Sequence, residues 1–198
     1  MTDGFFPDIS IDNETLATSP DAFLLATALV PFDRATGQIG SPLYMVFDGN
    51  QPGRRIDPGT VRWWMTQDLQ PRQAVFANND AWPVDLALGQ IAAFVESHKP
   101  QRIWGNGSNF DVAQLEHLFI DAGRDVPWHY RAPRDMRTIV DLASTSAGVQ
   151  ITEVVDFEGD AHNALDDAVY QAKVISRAYG YLIDIEDFEP PTVNGEVI

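Results

Sequence analysis

The chain has 198 residues, of which 44% are hydrophobic and 21% are charged, a balance typical of one globular domain. Its 29 acidic and 13 basic residues give a net charge of −16, which argues against a passive nucleic-acid-binding protein but not against an enzyme whose bound cations meet phosphates. The lack of cysteine excludes disulfides and thiolate-bound zinc.

The N-terminal part of the sequence predicts an antiparallel meander of three strands. The first strand begins the stretch 8–18, and the apolar runs 22–33 and 41–50 supply the other two. Alternate residues of a strand point to opposite faces, so four polar residues share one face: Asp8, Ser10, Asp12 and Glu14. The neighbouring carboxylates of Asp12 and Glu14 fit either a solvated edge strand or a divalent metal site, and this stretch alone does not separate the two.

The remaining sequence predicts helices around one further strand, at residues 101–107. Six helices are expected, at residues 57–68, 70–77, 82–99, 108–123, 134–145 and 162–180. Asp57 suits the N-cap of the first of these helices, and Ser108 or Asn109 suits that of the fourth. Glycines at the ends of the fourth and sixth, Gly123 and Gly180, predict their C-termini.

This order of elements predicts one α/β domain over residues 1–182, with a mixed sheet of antiparallel and parallel strands flanked by helices. The acidic segment 183–198 predicts an extended or disordered tail. No apolar run approaches the roughly 20 residues of a membrane span. The N-terminal residues also lack a signal-peptide pattern. We therefore expect a cytoplasmic protein with no membrane partner, and the host cytoplasm is the secondary alternative for a protein encoded by a phage.

Two later sites carry further acidic residues. Asp111 lies in the first turn of the helix that follows the strand 101–107. Asp166 and Asp167 lie in the first turns of the last helix, with His162 at its junction to the preceding loop. Each site alone is also what an ordinary helix start looks like, because the helix dipole favours acidic residues there.

Taken together, the acidic residues predict a metal centre. Four carboxylates and one histidine make an all-oxygen ligand set with a base: Asp12, Glu14, Asp111, Asp167 and His162. Hard cations such as Mg²⁺ and Mn²⁺ prefer oxygen ligands. Two such ions about 3.5–4 Å apart can stabilise both the attacking and the leaving oxygens of a phosphoryl displacement. We expect two divalent cations, Mg²⁺ or Mn²⁺, as cofactors.

Three motifs in order resemble those of the DnaQ-like, DEDDh-type 3′–5′ exonucleases, which have a ribonuclease H-like fold. They are "IDNETL" at 11–16, "NGSNFD" at 106–111 and "HNALDDA" at 162–168. Other segments look closer to small phage and prophage exonucleases and to bacterial exoribonucleases related to ribonuclease T and oligoribonuclease. The resemblance spans about residues 9–179. The five-residue step from His162 favours Asp167 over Asp166 as the acid of the third motif.

The resemblance implies a role for each matched residue. Asp12, Glu14 and Asp167 would bind the metal ion on the side of the attacking water, and His162 would take the proton of that water. Asp12 and Asp111 would hold the second ion, which faces the leaving 3′ oxygen. The residues expected to contact the terminal nucleotide are Thr15, Leu16 and Phe110.

Several other residues keep two interpretations. Asn13 stands where the family usually has an apolar residue, so it would need a buried hydrogen-bond partner. Of the pair Trp63 and Trp64, at least one is expected in the core, while the other could stack on nucleic acid. Arg137 could meet a phosphate or form an ordinary ion pair.

The resemblance implies a metal-dependent 3′–5′ exonuclease that releases nucleoside monophosphates from the 3′ end of single-stranded DNA or RNA. One alternative is an exoribonuclease specialised for RNA 3′ ends or short oligoribonucleotides, since sugar selection depends on the pocket around the 2′-hydroxyl. A non-enzymatic alternative, motivated by the net charge of −16, is an acidic interaction protein or nucleic-acid mimic. Related small enzymes often form homodimers, so we keep a homodimer as an expectation.

Overall fold

The computed structural model describes residues 5–183, 192–193 and 196–197, and it contains the expected mixed sheet. Five strands form this sheet: β1 Asp8–Thr15, β2 Leu24–Phe32, β3 Leu43–Val46, β4 Arg102–Gly105 and β5 Pro133–Asp135. Their order across the sheet is β3-β2-β1-β4-β5. The first three strands are antiparallel, as predicted, whereas β4 runs parallel to β1 and β5 parallel to β4.

The edge-strand interpretation of β1 is wrong. The strand pairs with β2 on one side and β4 on the other, so it lies at the centre of the sheet. All of its residues are buried except Asp12, which is partly exposed. The carboxylates of β1 therefore lie inside the protein, where they need a physical explanation.

Six helices accompany the sheet: α1 Pro58–Trp64, α2 Leu69–Phe76, α3 Val84–His98, α4 Asp111–Asp121, α5 Met136–Ala147 and α6 Ala164–Ile183. Apolar residues of α3 and α4 pack on the sheet face that carries Ile9 and Ile11. The opposite face is covered by α5 and α6, which bury β2 residues such as Val30. A third, smaller cluster joins Trp64 of α1 and Val75 of α2 to the sheet.

The helix starts differ from the predicted ones at one functional position. Asp57 caps α1 as expected, because its Oδ1 accepts hydrogen bonds from two backbone N–H groups of the first turn. The cap predicted for α4 at Ser108 or Asn109 is wrong. Phe110 occupies the N-cap without a side-chain hydrogen bond, and the helix begins at Asp111. The carboxylate of Asp111 is thereby left at the end of β4.

Two further differences concern the C-terminal half. The predicted helix 134–145 begins only at Met136, because Pro133–Asp135 pairs with β4 as a fifth strand. Three residues are too few to show the alternation that identifies a strand. Gly180 does not end α6, which continues to Ile183. A glycine costs only about 1 kcal/mol within a helix, and packing can offset that.

Most of the predicted tail lies outside the described residues. Within it, Thr192–Val193 and Glu196–Val197 pair as two short antiparallel strands. In the part of the chain that the structure describes, we find no helix with the length and apolarity that a membrane crossing needs.

Candidate active site

Three of the predicted carboxylates meet on the face of the sheet that α6 covers. Asp12 and Glu14 come from the C-terminal half of β1, and Asp167 comes from the first turn of α6. One oxygen of each carboxylate lies within 4.8 Å of the others. The helix can approach the sheet closely because its contact face consists largely of fully buried alanines: Ala164, Ala168, Ala172 and Ala178.

The cluster is electrostatically unfavourable without a cation. Burial raises the pKa of Asp12 well above its usual value, and the negative charges of Asp111, Glu14 and Asp167 add to the effect. Burial, with the charges of Asp167 and Asp111, raises the pKa of Glu14 to about 8. Among the described residues, none of these carboxylates forms a salt bridge with a lysine or arginine. A divalent cation would supply the missing positive charge, so the residues fit such an ion.

Asp111 is near the cluster, since its charge acts on Asp12, but it is not one of the three carboxylates within 4.8 Å and does not line the cleft. Its Oδ1 accepts a hydrogen bond from the backbone N–H of Asn13 at 3.2 Å, and its Oδ2 accepts one from Asn106 at 3.0 Å. Close approach needs Gly105, since a Cβ there would lie 3.2 Å from Oδ2 of Asp111. Burial raises the pKa of Asp111 to about 7 even though these N–H groups lower it. A carboxylate with two donors still has free lone pairs for a cation.

Asn13 has the buried partners that its polar side chain requires. Its Nδ2 donates to the backbone oxygen of Asp111 at 2.8 Å, and its Oδ1 accepts from the hydroxyl of Thr27 at 2.7 Å. The asparagine therefore ties the start of α4 to β1. This contact fixes the position of Asp111 relative to Asp12.

His162 lies beside Asp167 in an unusual backbone conformation. Its φ is 65°, in the left-handed region that non-glycine residues seldom adopt. Its backbone N–H donates to Oδ2 of Asp167 at 2.9 Å, and its ring packs edge-on against Trp63 with centroids 4.8 Å apart. No described residue hydrogen-bonds the imidazole. Strained backbone of this kind is commonly found at functional sites.

Asp167, rather than its neighbour Asp166, belongs to the cluster. Oδ2 of Asp166 accepts a hydrogen bond from the backbone N–H of Asp160 at 2.9 Å and packs against Gly159. It therefore stabilises the loop before α6. The placement agrees with the choice that the motif spacing predicted.

The carboxylates open into a cleft of about 840 Å³. Its lining includes Asp12, Glu14, His162 and Asp167, together with the predicted nucleotide contacts Thr15 and Phe110. Leu16 is not part of that lining. It is 8% exposed and packs with Trp64 in the third core cluster. Its predicted role as an apolar wedge therefore has no contact with the cleft to support it.

The two neighbouring tryptophans divide as expected. Trp64 is buried, and its Nε1 donates to the backbone oxygen of Thr15 at 2.9 Å. Trp63 is 42% exposed and lines the cleft. Arg137 hydrogen-bonds the side chain and the backbone oxygen of Asn106, so it stabilises the turn before α4 and makes no ion pair among the described residues.

Sequence reasoning missed two polar residues of the site. Gln171 is buried, and its Nε2 donates to Oδ1 of Asp12 at 2.6 Å. Its position four residues after Asp167, on the same helix face, was the available signal. Tyr44 is the second, and its buried hydroxyl has no partner among the described residues. Tyr44 is in register with Asp12 across β2, through Ala28, so the two side chains share a sheet face although Tyr44 does not line the cleft. Burial and then the charge of Glu14 raise the pKa of Tyr44.

Solved structures of nucleases share this architecture. Cell-death related nuclease 4 (CRN-4) superposes with a TM-score of 0.66 at 14% identity, over 89% of this chain and 64% of that one. The nuclease domain of 3′hExo, a DEDDh family member bound to rAMP, superposes with a TM-score of 0.61 at 13% identity. The match covers 90% of this chain and 94% of that domain. The E. coli ExoI–ssDNA complex superposes with a TM-score of 0.61 at 18% identity, over 90% of this chain and 40% of ExoI. The chain thus spans only part of CRN-4 and of ExoI.

A search of curated proteins finds no match. A family model does match, over residues 7–179, and it describes a 3′–5′ exoribonuclease Rv2179c-like domain. The matched range contains all three motifs and the whole carboxylate cluster. An acidic interaction protein or nucleic-acid mimic does not agree with this result. The chain belongs to the 3′–5′ exoribonuclease Rv2179c-like domain family.

Proposed function

We propose that the chain hydrolyses the last phosphodiester bond at the 3′ end of single-stranded nucleic acid and releases nucleoside monophosphates. The observation that carries the proposal is the partly buried cluster of Asp12, Glu14 and Asp167, which lines an open cleft with His162 beside it. The family description favours RNA as the substrate. Activity on DNA is the alternative that the experiment below tests. A homodimer stays a prediction.

The cofactors in this proposal are two divalent cations, Mg²⁺ or Mn²⁺. Asp12, Glu14 and Asp167 would hold one ion, and Asp12 with Asp111 would hold the other. When bound, such ions supply positive charge that stabilises the attacking and leaving oxygens of the displacement. Gln171 supports this role, because it occupies Oδ1 of Asp12 and leaves Oδ2 for a cation.

His162 is proposed as the general base. Its imidazole lines the cleft, and no described residue hydrogen-bonds it, so a ring nitrogen can accept a proton from the attacking water. The oxygen of that water forms a bond to phosphorus while the bond from phosphorus to the 3′ oxygen breaks. The backbone hydrogen bond between His162 and Asp167 couples the position of the base to the carboxylate cluster.

The terminal nucleotide would lie between the remaining walls of the cleft. Phe110 presents aromatic surface, which can stack on a base of any identity. Thr15 is part of the lining, and its hydroxyl donates to the backbone oxygen of Ala17. Leu16, the next residue, packs in the third core cluster, and its contact with the nucleotide stays a prediction.

The proposal is tested with matched 5′-labelled RNA and DNA oligomers in Mg²⁺ and in Mn²⁺. We expect shortening from the 3′ end, protection of a 3′-blocked strand, and loss of activity with EDTA. A rate ratio of RNA to DNA well above one would assign the enzyme to RNA. Cleavage of a circular single strand at the same rate, or full activity in EDTA, would refute the proposal.

A further inference from the structure

Basic side chains are scarce in this chain, and most of them form hydrogen bonds with other groups of the protein. All 13 lysine and arginine residues lie in the described part. Ten of them hydrogen-bond a carboxylate, a carbonyl oxygen or another polar side chain. The three without a partner among the described residues are Arg55, Arg62 and Lys99. An unpaired guanidinium on a protein of net charge −16 is available for an anionic ligand.

Two of these three residues lie on segments that border the catalytic cleft, Arg55 just before α1 and Arg62 within it. Arg55 lines a depression that shares Thr18 and Asp57 with the cleft. Arg62 lies on α1 directly before Trp63, which lines the cleft. Lys99 follows α3 and lines a depression that shares no residue with the cleft.

The charge of both arginines reaches the cleft. The carboxylate of Asp57 lines it and accepts hydrogen bonds from the backbone N–H groups of Gly59 and Thr60. These N–H groups lower the pKa of Asp57, and the positive charges of Arg55 and Arg62 lower it further. Arg55 lines one depression with Asp57, and Arg62 is an exposed residue of α1, so both positive charges act on a carboxylate at the edge of the cleft.

The cleft itself has no lysine or arginine in its described lining. Divalent cations can neutralise the phosphate that is cleaved, but phosphates further along the strand need positive charge from elsewhere. Arg55 and Arg62 are the described basic side chains next to the cleft that make no hydrogen bond, whereas Arg137 makes no ion pair but is held by Asn106 of the cleft lining. The indole of Trp63, 42% exposed, offers a stacking surface on the same wall.

We propose that residues 55–63 bind the single strand upstream of the cleaved bond, with Arg55 and Arg62 contacting phosphates on the 5′ side and Trp63 stacking on a base. The inference rests on the proposed function and adds to it a preference for a strand longer than a dinucleotide. It identifies an upstream segment of a single-stranded polyanion as the ligand. Recognition is independent of sequence, because a guanidinium reads phosphate and an aromatic ring accepts any base.

The test compares Arg55→Gln, Arg62→Gln and the double variant with Lys99→Gln, which removes the same charge at a remote position. KM is measured for a 12-mer and for a dinucleotide of the same 3′ sequence, over a salt series. Each cleft-side variant should raise KM for the 12-mer on the order of threefold at low salt. Each should also reduce the slope of log KM against log salt by ~0.7. KM for the dinucleotide should change far less.

Binding of a 3′-blocked, fluorescently labelled 12-mer in Mg²⁺ provides a second readout that needs no turnover. The double variant should weaken this binding about tenfold, whereas Lys99→Gln should leave it close to wild type. Equal effects of the cleft-side and Lys99 variants would overturn the proposal, and so would equal effects on the 12-mer and the dinucleotide. A wild type that binds the 12-mer through these arginines but hydrolyses nothing would refute the proposed function alone.

Discussion

The carboxylates at the two ends of β1 differ in whether a basic side chain neutralises them. At the N-terminal end, Asp8 is fully buried and accepts hydrogen bonds from Arg34 Nη1 at 2.9 and 2.8 Å and from Trp104 Nε1 at 2.8 Å. At the C-terminal end, Asp12 and Glu14 share the same sheet face, but no described lysine or arginine pairs with them.

The difference teaches how to separate a structural acid from a functional one. A buried carboxylate that serves the fold is neutralised by the protein itself, as Arg34 does for Asp8. A carboxylate that must bind a cation from solution cannot have its own arginine, because that arginine would compete with the ion. Such a site is unfavourable in the free protein and becomes favourable only when the ion binds.

Replacing Asp12 by Asn tests the functional end and has the largest expected effect. The amide lacks the negative charge that a cation requires, so we expect activity to fall by at least about 10³-fold. The melting temperature should stay the same or rise, because repulsion with Glu14 is relieved. Activity is followed with a 5′-labelled oligomer, and stability by circular dichroism without added metal.

A calorimetric titration with Mn²⁺ completes this test, since Asp12→Asn should also bind the ion more weakly. Wild-type activity in the variant would show that Asp12 does not bind a catalytic ion. A large loss of stability would show instead that this carboxylate is structural, and the contrast between the two ends of β1 would disappear.

Replacing Asp8 by Asn tests the structural end, and the expected outcome is the reverse. Arg34 has 16% of its side chain exposed and would lose its charged partner in a mostly buried position. Breaking a fully buried pair costs roughly 3–5 kcal/mol, so we expect about 2–3 kcal/mol here, with kcat essentially unchanged. The free energy of unfolding is measured by urea titration.

The matched control is Glu158→Gln, which removes an exposed ion pair with Lys173. This change should cost much less than Asp8→Asn, because water already screens the pair. If Asp8→Asn costs no more than the control, burial of the Asp8–Arg34 pair does not contribute to stability in the way proposed.

Part of this contrast could be read from the sequence. The alternation in β1 grouped Asp8, Asp12 and Glu14 on one face, as the structure has them, and the motif spacing favoured Asp167, which lies beside Asp12 and Glu14. Asp111 could be expected nearby, because β1 and β4 are parallel and their C-terminal ends lie at the same edge of the sheet.

The rest depended on contacts between distant parts of the chain. Nothing in the sequence pairs Asp8 with Arg34, so the functional and structural acids of β1 looked alike. Leu16 was assigned to the nucleotide by its place in a motif, but the packing of Trp64 holds it in the core. Alternation along a strand indicates which face of the sheet a residue occupies. It does not indicate which side chains from other parts of the chain pack against that face.

His162→Ala tests whether the functional end also needs a base besides its ions. A general base contributes about 10²–10⁴-fold, so we expect a loss on the order of 10²-fold in kcat, with Mn²⁺ affinity and melting temperature retained. His162→Asn is the matched variant, because asparagine tolerates the positive φ of this position better than alanine. A rate within about threefold of wild type in both variants would show that His162 is not the base.

The pH dependence of stability gives the smallest expected effect and examines the carboxylate cluster without any substrate. The pKa of Glu14 is raised in the folded protein from 4.5 to about 8, and that of Asp111 from 3.8 to about 7. Between these values the folded state holds more protons than the unfolded state, so stability falls as pH rises. The metal-free protein should therefore lose several degrees of melting temperature between about pH 5 and pH 8, a change of a few kcal/mol at most.

Glu14→Gln removes the larger of these two titrations and should flatten the slope of melting temperature against pH, whereas Glu158→Gln should leave that slope as in wild type. Mg²⁺ or Mn²⁺ should raise the melting temperature more at pH 8 than at pH 5, because the ion binds the deprotonated carboxylates. A wild-type protein whose metal-free stability rises over this range, or whose slope Glu14→Gln does not change, would show that the C-terminal end of β1 is as well compensated as the end that carries Asp8.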